Sequence, residues 1–360
     1  MCGIVALATS EGSINDVGVV LESIQNVNHR GPDQNNVVSV GLKGPNIILG
    51  HTRLAIVGDT NALQPLVWAS RDTLYHLAVN GEIYNWKELR NQLLDCGLSP
   101  IDNFKTDSDS EVLMACLVYR GLEWTLNNIR GMYAFVLVKS NACDGRIVSI
   151  ILCRDLFGIK PLCFAVDHSR KRFFVSSEIA AIPDGFCAVE LNDVLPSSYV
   201  TATFSTKTNS WLFKNTFYQN QLHHATIVTT KSLELAKLIH MKLVHAVSAR
   251  IPSGGIGWGV LLSGGLDSSL IAGIAADAIY PLPLYAFTIS FLNQKTSDMA
   301  KSDIVCARIV TSSRSNIVHE EVTFSFKEGL DALADVVNSV ETTDAAVIRA
   351  SVPLDRKSVV

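Results

Sequence analysis

The chain has 360 residues, 48% of them hydrophobic and 18% charged, with a formal net charge of −4. That length predicts two domains, and that composition supplies cores and excludes a disordered chain. The weak acidic balance leaves no basic footprint for nucleic acid, and no run approaches the roughly 18 apolar residues of a membrane span.

The first twenty residues lack a basic stretch, and Glu11 and Asp16 interrupt them, so no secretory signal is expected. Eight cysteines (Cys2, Cys96, Cys116, Cys143, Cys153, Cys163, Cys187 and Cys306) are scattered without paired C-x-x-C spacing. That pattern fits neither a zinc site nor a disulfide framework, and it is the usage expected of a reducing cytoplasm.

The chain opens Met1-Cys2-Gly3-Ile4. Removal of Met1 would give Cys2 both a thiol and an α-amine. The amine's ordinary pKa of about 8 lets it accept a proton and return it. Nucleophile and base would then sit on one residue. By itself a Cys after an initiator Met is uninformative.

Ile4 to Ala8 reads as a short buried strand, and Ile14, Val17, Leu21 and Ile24 have helical spacing. The breaker cluster Asn28-His29-Arg30-Gly31-Pro32-Asp33 is either a cap and turn or a pocket loop. Asn46 to Gly50 is strand-like. Arg53 follows among Leu54, Ala55, Ile56 and Val57, which suggests the end of a buried strand. A guanidinium there needs an anion, from the protein or from a ligand carboxylate.

Leu77-Ala78-Val79 runs into Asn80-Gly81-Glu82-Ile83-Tyr84-Asn85. Asn-Gly is a turn signal, and a plain hairpin is the more frequent explanation. The same pair also sets a side-chain amide beside an unhindered N–H, as an oxyanion hole requires. Trp86, Leu89 and Leu93 predict a helix. Ser108-Asp109-Ser110-Glu111 has the form of a capping box before a second one. Asp109 there is either a helix-dipole partner or a ligand for a substrate ammonium.

Strands are predicted over 132–138, 147–153, 162–166 and 173–176, with Arg154 to Leu162 a tight loop between two of them. Many strands and few helices imply stacked antiparallel sheets flanked by helices.

Together these pieces resemble the class II glutamine amidotransferases. The matching stretches are Met1-Cys2-Gly3-Ile4, Arg30-Gly31-Pro32-Asp33, His51-Thr52-Arg53-Leu54, Asn80 to Asn85, Ser108 to Glu111, and Arg154-Asp155 through Leu162. The resemblance implies the αββα N-terminal-nucleophile hydrolase sandwich. It also implies that Cys2 attacks the glutamine side-chain amide and that Arg53 holds the α-carboxylate. Asp109, with Glu82, would hold the α-ammonium, and Asn80 with the Gly81 N–H would stabilise the oxyanion. The family loop often has Gly before Ser-Asp; Asp107 stands there, a departure expected to be tolerated.

Residues 201–230 are polar, read as a strand or two and then a linker. The adjacent His223 and His224 are expected to be solvated rather than metal-binding. Leu235, Ile239, Leu243 and Val247 mark a long helix. Then Gly259-Val260-Leu261-Leu262 leads into Ser263-Gly264-Gly265-Leu266-Asp267-Ser268-Ser269. A strand entering a Ser/Gly loop at a helix start points several N–H groups at an anion. Asp267 adds a carboxylate for Mg²⁺. The Gly-Lys-Ser/Thr ending of a Walker loop is missing.

Ser-Gly-Gly-x-Asp-Ser is similar to the pyrophosphate loop of the ATP pyrophosphatases. The resemblance implies ATP bound by Ser263, Gly264, Gly265, Asp267 and Ser268, with adenine against Leu261 and Ile289. The usual Gly after that second strand is replaced by Ser290-Phe291. Strands at 284–291 and 316–324 around a helix at 304–309 imply a doubly wound parallel sheet with its ligand at the strand C-termini.

The domains expected are an amidotransferase domain at 1–205, a linker at 206–230 and a partial synthetase domain at 231–360. This order resembles the glutamine-hydrolysing asparagine synthetases, ligases in which ATP adenylates aspartate and ammonia attacks the aspartyl-adenylate. Glu341-Thr342-Thr343-Asp344 and Ile348-Arg349-Ala350-Ser351 match that family's aspartyl-binding stretch. Glutamine, aspartate and ATP are the expected partners, with a homodimer as one assembly.

The chain ends at Val360 without the family's second nucleotide motif, so the α/β domain is expected to be incomplete. A truncated product with glutaminase activity alone, or a non-catalytic regulatory partner keeping the fold, are the alternative readings. A phosphoribosyltransferase or sugar-phosphate isomerase partner domain would leave Ser263 to Ser269 unexplained, and a β-lactam synthetase typically lacks Cys2.

Overall fold

The computed structural model describes residues 1–41, 44–56, 62–95, 97, 104–186, 190–218, 232–251, 257–291 and 303–355. Two compact units divide the chain, Met1–Thr226 and Ile227–Val360. The expected His223 and His224 lie outside the described residues.

The first unit runs β1 (Gly3–Thr9), α1 (Ile14–Asn26), β2 (Gln34–Val40), β3 (Asn46–Arg53), β4 (Leu66–Ser70), β5 (Thr73–Ile83), α2 (Trp86–Asp95), α3 (Asp109–Tyr119) and α4 (Leu122–Asn128). It continues with β6 (Gly131–Asn141), β7 (Ile147–Arg154), β8 (Cys163–Asp167), β9 (Arg172–Ser176), β10 (Glu190–Asp193), β11 (Ser198–Ser205) and β12 (Ser210–Phe217). One six-stranded sheet has the order β10-β8-β9-β1-β3-β2, the other β12-β11-β7-β6-β5-β4. Their recorded pairings are antiparallel.

Alternation along each strand sorts the side chains into three apolar layers. Ile4, Ala6, Leu49, Val136, Leu152 and Phe173 lie between the sheets. Val5, Leu7 and Ile48 point the other way and pack on Val20 and Ile24 of α1. Val79, Phe135 and Leu137 pack on Leu89 of α2 and Leu113 of α3. The layers are therefore helix, sheet, sheet, helix, the αββα sandwich expected.

The middle layer is dense. Phe173 is fully buried and meets Trp211 and Phe213 edge-on at 5.0 and 5.2 Å. Burying a side chain of this size stabilises by about 1.5–3 kcal/mol. The Trp211 Nε1–H donates to Lys171 O at 3.1 Å, so its polar end is not left unpaired.

Trp211 belongs to β12, which pairs with β11 from Ser198↔Phe217 to Ser205↔Ser210. The stretch 206–217, assigned to the linker, thus contributes a strand to the first unit's sheet. Its aromatic positions are what the polar composition concealed.

The second unit has α5 (Ser232–Ala249), β13 (Trp258–Leu261), α6 (Leu266–Ile279), β14 (Leu284–Phe291), α7 (Asp303–Ser312), β15 (Ile317–Phe324), α8 (Phe326–Asp331), α9 (Leu333–Val340) and α10 (Ala345–Asp355). Its three-stranded sheet, ordered β13-β14-β15, is parallel throughout. Ala286 packs with Ala272 of α6 and Ala307 of α7 on one face. Ile289 points to the other face, against Phe324, Val336 and Val352. Helices on both faces of a parallel sheet are the doubly wound pattern.

Candidate active site

In the first unit the register places the site. β1 and β3 are antiparallel with Gly3 opposite Thr52, which brings Arg53 alongside Cys2. The Gly3 N–H donates to Thr52 Oγ1 at 3.0 Å, and that hydroxyl donates to Val27 O at 3.2 Å. Arg30, in the turn Asn28–Arg30, is buried; its Nε–H donates to Cys2 O at 3.0 Å and its Nη1 pairs with Glu178. The backbone at Cys2 is thereby held by two elements outside its own strand.

The second sheet is tied to the first at the same end. The Nε2–H of His51 donates to Val79 O across 2.8 Å, a tautomer assigned from the carbonyl it faces. Burial holds the His51 pKa down at about 4, so the imidazole stays neutral in that bond. Asn80 and Gly81 follow Val79 directly.

The Asn-Gly pair is not a turn. β5 runs through it, with Asn80 opposite Ala134 and Gly81 opposite Tyr133. Glycine is required there by approach: a Cβ on Gly81 would lie 2.6 Å from Tyr133 Cα and closer still to the Met132 carbonyl. Asn80 is fully buried, and neither its Oδ1 nor its Nδ2 makes a hydrogen bond. A buried amide unpaired at both atoms carries a desolvation penalty of about 1–3 kcal/mol, and a ligand would relieve it.

Asp109 begins α3, after an extended Ser108. Its Oδ2 accepts from Ile83 N at 2.7 Å and its Oδ1 from Ser110 N at 2.8 Å. Burial nevertheless pushes its pKa up to about 6, and the nearby Glu82 carboxylate adds to the rise. The expected capping box is not formed. The Ser108 side chain makes no cap bond, and Glu111 instead accepts from Lys105 N, Thr106 N and Thr106 Oγ1 at 2.8–2.9 Å. Glu111 anchors the loop before the helix, which frees the helix start to face inward.

Cys2, Arg53, Asn80, Gly81, Glu82 and Asp109, all named from the sequence, line one cleft. Cys2 Sγ lies 3.8 Å from Leu54 O, and burial raises its thiol pKa while the bond to the Leu54 carbonyl, the Met1 α-ammonium and Arg53 oppose the rise. Buried Arg53 reaches Gln34 Oε1 at 3.3 Å through Nη1. Sequence reasoning missed Gln64, Ser110 and Lys160, which line the same cleft. Gln64 Oε1 accepts from Val79 N at 2.8 Å and its Nε2 reaches Ser110 Oγ at 3.4 Å. No local pattern marks a glutamine that acts fifteen residues from its partner.

In the second unit, Ser263, Gly264 and Gly265 form the turn after β13, and Asp267 and Ser268 stand in the first turn of α6. Gly264 has φ +79°, and a Cβ there would meet Asp303 O and Cys306 Cβ at 2.6 Å. The hydroxyls of Ser263 and Ser268 lie 3.0 Å apart. No side chain caps the first N–H groups of α6, and the buried Ser269 Oγ has no partner. These uncapped donors suit an anion. Leu261 pairs with Phe287, so Ile289, two residues on, shares its sheet face. Among the described residues no three His, Cys, Asp or Glu side chains cluster as a metal site. No helix among them is long and apolar enough to cross a membrane.

A family model of the glutamine amidotransferase domain matches residues 1–236, and one of asparagine synthase matches residues 238–355. A protein of Acanthamoeba polyphaga mimivirus, named as a probable glutamine-hydrolyzing asparagine synthetase, is 31% identical over 98% of this chain and 62% of its own length. A glutamine-hydrolyzing asparagine synthetase of Asparagus officinalis is 31% identical over 98% of this chain and 55% of its own. The chain therefore spans little more than half the length of such relatives. A solved glutamine phosphoribosylpyrophosphate amidotransferase of B. subtilis covers 89% of this chain and 81% of its own at 15% identity, with a TM-score of 0.48, too weak a likeness to bear on function. On the match over residues 1–236, the chain belongs to the glutamine amidotransferase domain family.

Proposed function

We propose that the first unit hydrolyses the side-chain amide of glutamine at Cys2 and that the ammonia serves ATP-dependent synthesis of asparagine from aspartate. The observation that carries this is the Asn80 side chain, buried with both polar atoms unpaired in the wall of the cleft that holds Cys2.

Removal of Met1 leaves the α-amine on Cys2. That amine takes the thiol proton as Sγ bonds to the amide carbon. Asn80 Nδ2–H and the Gly81 N–H donate to the oxyanion. Collapse breaks the C–N bond, and the ammonium returns its proton to the departing ammonia. Water then hydrolyses the thioester to glutamate and restores the thiol. Arg53 holds the substrate α-carboxylate. Asp109 and Glu82 hold its α-ammonium, so the two ends of the amino acid meet opposite charges.

In the second unit, Ser263, Gly264, Gly265, Ser268 and the uncapped N–H groups of α6 hold the ATP pyrophosphate. Leu261 and Ile289 supply an apolar face for adenine. Asp267 would hold Mg²⁺ jointly with the phosphates, since this loop offers one carboxylate; the ion would neutralise phosphate charge.

The test is ammonia and glutamate release from glutamine by the wild-type chain and by Cys2→Ala, with asparagine formation followed in the presence of aspartate and ATP. Wild-type turnover should fall to background in Cys2→Ala. Turnover that survives the substitution would remove Cys2 from the chemistry.

A further inference from the structure

The backbone donor proposed at Gly81 lies on an edge of β5 that a neighbouring strand could have covered. β4 pairs with β5 only as far as Leu66 opposite Leu77. The same register carried upstream would set Gln64 opposite Val79 and Ala62 opposite Gly81, and a ladder bond would take the Gly81 N–H. The chain instead bends at residues 64–65 and leaves the edge. On the other side of β5 the Tyr84 N–H donates to Arg130 O, just before β6, at 2.7 Å. Alternation then turns the even-numbered N–H groups toward β6 and those of Val79, Gly81 and Ile83 toward the vacated edge.

Side chains replace the strand at two of these three positions. The Val79 N–H donates to Gln64 Oε1 at 2.8 Å, and the Ile83 N–H to Asp109 Oδ2 at 2.7 Å. Val79 O accepts from His51 Nε2 at 2.8 Å, so that residue is held at both its polar groups. Gly81 stands between the two bracketed positions and lines the cleft with Cys2. The other end of the Gln64 amide donates to Ser110 Oγ at 3.4 Å, next to Asp109 in the chain. Gln64, Ser110 and Asp109 are all buried.

One amide therefore joins the strand that carries the oxyanion donors to the helix start that carries the carboxylate for the substrate ammonium. A buried N–H at Val79 has to be paired. A longer β4 would pair it, but would run on to Gly81. A side chain pairs it and stops there.

We infer that Gln64 is a positioning residue of the glutaminase site, which caps the edge of β5 at Val79, ties it to α3, and so keeps the Gly81 N–H open to the oxyanion. Asp109 fixes the same edge from the far side of Gly81. Gln64 exchanges no proton in this role. The role rests on the proposed glutaminase reaction. It acts on the charge that develops at the substrate oxygen, so its loss should weaken transition-state binding more than ground-state binding.

The test compares wild type with Gln64→Met, which keeps the length of the side chain and loses its amide, each checked by mass for loss of Met1. Glutamine kcat and KM are measured together with inhibition by glutamate γ-semialdehyde and by glutamate. The semialdehyde adds the Cys2 thiol across its carbonyl: Sγ bonds to the carbon, the C=O double bond becomes single, and the thiol proton passes to the oxygen. That tetrahedral oxygen takes the place of the oxyanion, whereas glutamate forms no adduct. In Gln64→Met, kcat and semialdehyde affinity should each fall by about 10- to 100-fold, while KM and glutamate inhibition change by less than about threefold. A kcat near wild type, or equal weakening of semialdehyde and glutamate, would overturn the inference while leaving the Cys2 reading intact. A wild-type chain that neither hydrolyses glutamine nor binds the semialdehyde would instead overturn that reading.

Should Gln64→Met fail to fold, residue-resolved amide hydrogen exchange of the wild type decides the matter. The Val79 and Ile83 amides should be protected with and without the semialdehyde, and the Gly81 amide only in the adduct. Fast exchange at Val79, or a Gly81 amide already protected in the free chain, would sink the inference.

Discussion

Asp109 is a carboxylate that the fold makes and then holds back. Two N–H donors favour its charged form, yet burial outweighs them and lifts the pKa to about 6. The consequence for binding has a definite sign. Above about pH 6 the group is ionised and can hold a substrate ammonium; below it the carboxyl is neutral. The ionised fraction then falls tenfold per pH unit. The KM for glutamine should therefore rise steeply below about pH 6, with kcat changing less. A KM flat from pH 7.5 to pH 5 would remove Asp109 from ammonium binding. Asn80 shows the opposite economy. It has no protein partner to compete with a ligand, and in the proposed reaction its amide meets a charge that develops only during reaction.

At the scale of elements, Asn80-Gly81 is a strand interior that carries a turn's sequence signature. The signature was misleading because glycine serves two purposes. It permits left-handed backbone in turns, and it permits close approach in sheets. At Gly81 the second purpose applies, since the β6 backbone occupies the space a side chain would need. Gly81→Ala should cost about 3 kcal/mol through overpacking. It is expected to lower the first unit's thermal midpoint, and a midpoint unchanged within one degree or so would show that β5 and β6 can separate freely. The capping box at Ser108 misled for a related reason. Ser-x-x-Glu specifies which groups could bond, and tertiary contacts gave Glu111 better donors at Lys105 and Thr106. Strands were legible because apolar alternation over five or more residues is a strong signal, as in β14, found at residues 284–291 where expected. β12 falls in the stretch read as a strand or two and then a linker; its end was placed too early because its inward Trp211 and Phe213 are diluted by Lys214, Asn215 and Thr216.

At the scale of the molecule, two units each fold around their own apolar layers, and each carries one candidate site. The proposed functions should then separate by substitution. MgATP should raise the second unit's thermal midpoint by several degrees in wild type and Cys2→Ala, and by much less in Asp267→Asn. Glutamine hydrolysis should show the reverse pattern. Loss of both properties in either variant would contradict independent sites.

The sequence by itself determined the fold class of each unit, the candidate nucleophile Cys2 with the five residues expected beside it, and the Ser/Gly loop proposed for phosphate at residues 263–269. These are short-range patterns, written in consecutive residues. Only the tertiary structure decided that Asn80 lies in a strand with both amide atoms unpaired, that burial moves Asp109 to about 6, and that Lys160 belongs to the cleft. Each of those depends on what packs against a residue from dozens of positions away. Burial and pairing are properties of the assembled layers, and no local pattern encodes them.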